Sequence, residues 1–191
     1  MIAKRELSEI TAYNNITDSD KFRRVLFICK ANASRSIMAE VIFNKLAQNA
    51  VFQASNIYSR SAGIDISWEG EPANDVAQKV MEEIGLDISN RRCKYIDQSL
   101  VNWADIILTM EEVQKYYLKG LFPESAHKVM LISEFVGNEG EVPDPYQHGV
   151  ESYRICRRQL TGFINIMLDK MKPARLAGKC SYIVEPKHLF S

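Results

Sequence analysis

The stretch from Val25 to Ser36, V-L-F-I-C-K-A-N-A-S-R-S, constrains this chain more than any other. Its apolar run, Val25 to Ile28, reads as a buried strand. Cys29 ends the run, five residues follow, and Arg35-Ser36 open the segment I-M-A-E-V-I-F-N-K-L. There Met38, Val41, Ile42, Lys45 and Leu46 recur near helical spacing, which predicts a helix over about 36–48 with one buried face. A strand that turns through a short loop into a helix converges backbone N–H groups on the helix's first turn, and such places bind tetrahedral anions. Arg35 adds a planar fork that can grip two oxygens. The same donors favour a thiolate at Cys29. Locally, this is the chemistry of a cysteine nucleophile aimed at a phosphate.

The rest of the chain alternates strand and helix signals. Asn56–Ser59 predicts a second strand ending in Ser61-Ala62-Gly63, followed by a loop with Trp68, Gly70 and Pro72. Pro72-Ala73-Asn74-Asp75 is expected to start a helix running to about Ile84, where Gly85 stops it. After the basic loop Asn90–Lys94 come a third strand, Ala104–Met110, a helix over Glu111–Leu118, and a fourth strand, Lys128–Ile132. An acidic, Gly-containing loop then reaches Val142-Pro143-Asp144-Pro145-Tyr146. The final helix, about 152–171, should bury Tyr153, Cys156, Leu160, Phe163 and Met167. Such alternation implies an α/β fold with a parallel sheet covered on both faces. Ligands in these folds sit beyond the carboxyl ends of the strands, where Cys29 and the Asp144 loop both fall. Residues 1–23, with the capping-type run Thr17-Asp18-Ser19-Asp20, read as an N-terminal extension, 24–171 as the domain, and 172–191 as a tail.

Lys+Arg and Asp+Glu balance at 24 each, so no global charge points to nucleic acid or a membrane, and anion affinity must be local. No apolar run approaches the ~20 residues of a spanning helix, and the start lacks the apolar core of a signal peptide. Cys29, Cys93, Cys156 and Cys180 form no C-x-x-C pair, and His127 and His148 lack metal-site spacing. A cytoplasmic protein with reduced thiols, no metal and no cofactor is expected, as a monomer or weak homodimer.

Each candidate residue has a plain reading beside its chemical one. Asp144 between two prolines is either a turn acid or a general acid on a stiffened loop. Asn32 and Ser36 are either loop and cap residues, or a left-handed loop residue and a hydroxyl that steadies the Cys29 sulfur, with Ser61 joining that network. Trp68 and Tyr146 are partly buried aromatics or the walls of a pocket for an aromatic substrate. Arg91, Arg92 and Lys94 read as a solvated face.

Taken in order, V-L-F-I-C-K-A-N-A-S-R-S-I-M-A-E, S-A-G, W-x-G-x-P, G-L-D-I-S-N-R-R, A-D-I-I-L-T-M and D-P-Y resemble the low-molecular-weight protein tyrosine phosphatases over about Arg24 to Met171. The resemblance implies a three-layer α/β/α fold with a four-stranded parallel sheet. It makes Cys29 the nucleophile, Arg35 the phosphate and transition-state ligand, and Asp144 the acid. Lys30, Ala31, Asn32, Ala33, Ser34 and Ser36 would form the phosphate-binding loop, with Ser61 in support and Trp68 and Tyr146 as the substrate wall. Several positions depart from the family pattern. Ala31 stands for a usual Gly, Ser34 for a second Cys, Lys30 for an often apolar rim residue, Arg91 for a common His, and Gln147 for a second aromatic.

The implied activity is hydrolysis of phosphotyrosine in proteins or peptides through a phosphocysteine. A related branch of the fold acts on phosphoarginine, and Ala33 lies where that choice is partly made. Thiol-coupled arsenate reduction would need two further close cysteines after the second helix, where only Cys93 stands. A non-catalytic phosphate-reading module is the remaining alternative.

Overall fold

A computed structural model of the chain describes residues 22–48 and 57–172. The predicted N-terminal extension up to residue 21, the start of the second strand at Asn56, the tail from residue 173 and Cys180 lie outside the described residues.

Four strands, β1 (Arg24–Cys29), β2 (Tyr58–Gly63), β3 (Ile106–Thr109) and β4 (Val129–Leu131), pair in the order β2-β1-β3-β4, all parallel. β1 is central, and Val25 to Cys29 are all buried, which explains why its sequence is continuously apolar rather than alternating. Side chains still alternate between its faces. Val25, Phe27 and Cys29 join one core cluster with α1 (Arg35–Leu46), α2 (Asp75–Glu82) and α6 (Gly149–Lys170). Leu26 and Ile28 join the other with α3 (Gln98–Trp103) and α4 (Glu112–Leu121). A short α5 (Ile132–Val136) follows β4 directly and ends at Gly137, whose φ of 84° supplies a left-handed stop. The fold is the expected three-layer α/β/α arrangement.

The second strand ends in Ser61-Ala62-Gly63 as expected, because that segment pairs with Phe27-Ile28-Cys29. Two local expectations change. α3 and α5 were not foreseen; at six and five residues they are too short for a helical period to declare itself. α1 buries far more than one face, with Arg35 to Glu40 all buried, since it packs between β1 and β2 on one side and α6 on the other. In α6, by contrast, all five expected inward positions are buried. Among the described residues, no helix is long and apolar enough to cross a membrane.

The strand order reverses direction between β1 and β3, so the switch-point crevice opens beyond Cys29 and beyond the residues that follow Thr109.

Candidate active site

Cys29 ends β1, and residues 30–34 carry the chain to the first turn of α1. The loop's carbonyls are tied outward. Lys30 O accepts from the amides of Ile64 and Asp65 at 2.8 and 3.0 Å, Ala33 O from that of Asn74 at 2.8 Å, and Ser34 O from that of Met38 at 2.8 Å. Among the described residues, the amides of residues 31–36 donate to no main-chain carbonyl, which leaves them available to an anion. Asn32 turns the loop at φ 54°, the left-handed conformation expected of it. Gly63 backs the loop so closely that a Cβ there would lie 2.8–2.9 Å from main-chain atoms of Lys30, Ala31 and Asn32.

The sulfur has a built environment. Lys94 N donates to Asn32 Oδ1 at 2.9 Å, which fixes the amide; Asn32 Nδ2 donates to Ser36 Oγ at 2.8 Å; and Ser36 Oγ lies 3.0 Å from Cys29 Sγ. Because Asn32 occupies Ser36 Oγ as an acceptor, the hydroxyl's own proton is free to point at the sulfur. Ser36 is therefore not a cap, and the α1 N-cap position, Ser34, makes no capping bond. Burial holds the phenol of Tyr153, on α6, above its ordinary pKa.

Arg35 is 2 % exposed and held by three acceptors. Its Nη1 lies 3.0 Å from Val142 O and 2.8 Å from Glu111 Oε2, and its Nη2 lies 2.8 Å from Asp144 Oδ2. Burial alone would lower the guanidinium pKa; the negative charge of Cys29, Asp144 and Glu111 outweighs it and raises the value. Glu111 follows β3 across the crevice. Asp144 is brought in by its loop, which Val142 N ties to Met110 O at 2.9 Å, while Tyr146 N donates to Asp144 Oδ1 at 3.2 Å.

Cys29, Arg35 and Asp144 line one cavity of about 120 Å³ together with Lys30, Ala31, Ala33 and Ser34. Trp68 and Tyr146, 36 % and 51 % exposed, stand at its wall beside Asn74. The residues read from the sequence thus converge, with Asn32 and Ser36 directly beneath.

Two expectations need correction. Ser61 does not share the Asn32–Ser36 pair; its hydroxyl donates to Glu40 Oε2 at 2.7 Å because β2 aims it at α1. Arg91 is more than a solvated-face residue: with 39 % of its side chain exposed, it pairs with the largely buried Glu40 at 2.9 Å and so covers a carboxylate that would otherwise lack a countercharge. Sequence reasoning also missed Glu111, Val142, Asn74 and Glu40. Glu111 was visible only as an acid in a helix's first turn, a role that local rules already explain.

Burial pushes the thiol of Cys93 up to about 11 and that of Cys156 up to about 12. Both are neutral near pH 7 and unsuited to relay a disulfide, which weighs against arsenate reduction.

A thiol and a guanidinium sharing an anion-sized loop at the switch point of a parallel sheet define an oxyanion-binding α/β protein. Residues 24–175 match the profile of the low molecular weight phosphotyrosine protein phosphatases, and the chain belongs to that family. A protein-arginine-phosphatase from Geobacillus stearothermophilus is 29 % identical over 150 residues, covering 78 % of this chain and 96 % of that protein. The low molecular weight protein-tyrosine-phosphatase Ptp of Acinetobacter johnsonii is 34 % identical over 128 residues, covering 67 % and 83 %. The crystal structure of the low molecular weight protein tyrosine phosphatase from T. tengcongensis superposes with a TM-score of 0.72 at 38 % identity, covering 77 % and 98 %.

Proposed function

We propose that the chain is a phosphatase acting on phosphotyrosine in proteins or peptides, with Cys29 as nucleophile, Arg35 as transition-state ligand and Asp144 as general acid. The observation that carries this is the single cavity shared by Cys29, Arg35 and Asp144. Cys29 Sγ attacks phosphorus, the bond from phosphorus to the phenolic oxygen breaks, and Asp144 gives its proton to that oxygen. Asp144 then takes a proton from water, whose oxygen attacks phosphorus and expels the thiolate toward the Ser36 hydroxyl. Loop amides and the Arg35 fork hold the charge on the equatorial oxygens throughout. An incoming phosphoryl group competes with Asp144 for the Arg35 fork, which frees the carboxyl beside the leaving oxygen. Trp68 and Tyr146 offer flat faces to an aromatic ring.

Phosphoarginine is the second reading. It is favoured by the 29 % identical arginine phosphatase and by the small side chain of Ala33 at the cavity wall. Burst kinetics with p-nitrophenyl phosphate test the chemistry, and Cys29→Ser should abolish the burst. Asp144→Ala should slow poor leaving groups far more than good ones; equal slowing removes it from the role of acid. Faster cleavage of phosphoarginine than of phosphotyrosine peptides would reverse the substrate assignment.

A further inference from the structure

A second, larger cavity of about 200 Å³ lies behind the phosphate loop, on the far side of Asn32 from the reaction cavity. Four cations line it: Arg60 at the edge of β2, and Arg91, Arg92 and Lys94 from the loop after α2. Its one acid, Glu40, is already engaged by Ser61 and Arg91. Among the described residues, Arg60, Arg92 and Lys94 make no ion pair with a carboxylate. Arg60 lies over the Trp103 ring at 4.4 Å, and Arg92 Nη1 donates to the carbonyls of Ser89 and Arg91. Lys94 is sensed electrostatically by Asp97, a carboxylate already bonded to Ser99 and capping α3. A chain whose charges balance overall thus concentrates a net +3 in one concavity, counted as four cations less one acid.

We propose that this groove is a second oxyanion subsite, built for a diphosphate-class anion and separate from the reaction cavity. Two neighbouring guanidinium forks and an ammonium suit phosphoryl oxygens. At about 200 Å³ the groove is larger than the 120 Å³ cavity assigned to one phosphoryl group, which favours an anion larger than orthophosphate; only this size comparison rests on the phosphatase assignment. The main chain of the subsite also anchors the hydrogen-bond network beneath the nucleophile. Lys94 N holds Asn32, Asn32 holds Ser36, and Ser36 contacts Cys29. Cys93 is bonded through its main chain to Gly70 and Glu71, just beyond Trp68.

The test is amide NMR of the full chain titrated with inorganic pyrophosphate and, separately, orthophosphate. Residues 60 and 91–94 should respond with their own saturation, tighter for pyrophosphate, distinct from that of residues 30–36. In the Arg92→Ala/Lys94→Ala double variant the groove response should weaken by about a hundredfold, roughly tenfold per lost charged contact, while residues 30–36 keep theirs. Arg60→Gln provides the same test should the double variant not fold. One saturation common to both sets, or a groove response that survives these substitutions, overturns the subsite. Silence at residues 30–36 alone would instead count against the phosphatase assignment.

Discussion

Gly63→Ala is the most discriminating single-atom perturbation of this fold. The added Cβ would sit 2.8 Å from Ala31 C, 2.8 Å from Lys30 O and 2.9 Å from Asn32 N, where ordinary contact begins at 3.4 Å. The overlap is therefore about 0.5–0.6 Å against three main-chain atoms, and none can rotate away as a side-chain tip would. Overpacking of this kind costs about 1–3 kcal/mol in stability. The activity loss should be larger, because the displaced atoms belong to the loop whose amides would hold the phosphoryl oxygens. A misplacement of roughly 1 Å at such a site costs about 10²-fold in rate. Turnover of p-nitrophenyl phosphate should fall by about that factor, while urea denaturation shows a protein still cooperatively folded. Gly162→Ala is the control. Gly162 lies in the interior of α6 with nothing within 4 Å of its added Cβ, so alanine should stabilise by about 0.8–1.0 kcal/mol without touching the rate. Wild-type turnover in Gly63→Ala would refute the idea that β2 presses the loop into shape.

Ser36→Ala removes the hydroxyl beside the sulfur and leaves Asn32 Nδ2 without its acceptor. A lost hydrogen bond to a charged group is worth about 1.5–3 kcal/mol, so steady-state turnover should drop by about 10- to 100-fold, and the burst should become more pronounced as thiolate departure slows. Asp105→Asn probes acid stability. Burial would raise the Asp105 carboxyl, but the Arg24 side chain and the amides of Arg23 and Arg24 outweigh it and hold it below its ordinary pKa. A group depressed on folding contributes stability above its unfolded pKa of about 3.9 and loses it as pH falls through the lower folded value. The melting temperatures of wild type and Asp105→Asn should therefore differ at pH 7 and converge in strong acid. Iodoacetamide near pH 7, read by peptide mass spectrometry, should label Cys29, which lines the reaction cavity, in competition with orthophosphate and spare Cys93 and Cys156, whose thiol pKa values burial raises; equal labelling of all three would contradict the placing of Cys29 alone at the cavity.

Much of this site was legible because it is local. Cys29, Asn32, Arg35 and Ser36 fall within eight residues, and a fully apolar strand beside a loop of polar residues declares a strand-to-helix junction. α6 was legible for a similar reason, since a 22-residue helix carries its buried stripe through several turns. What stayed hidden was contact across the sheet. Glu111 meets Arg35 from the end of β3, and Arg91 meets Glu40 from a loop 51 residues away; nothing in either neighbourhood records the partner. Ser61 failed for the same reason: its partner Glu40 lies on α1, 21 residues earlier, and nothing beside Ser61 in the sequence records it.

The alternation along β1 makes catalytic competence a gauge of correct assembly. Sulfur travels on the same side of the ribbon as Val25 and Phe27, so a slip of one position against either flanking strand would carry it to the opposite layer, away from its guanidinium. A preparation could then be compact, helical by circular dichroism and soluble, yet silent. Titrating reactive thiol per molecule would accordingly count properly threaded chains more faithfully than any spectroscopic measure of secondary structure.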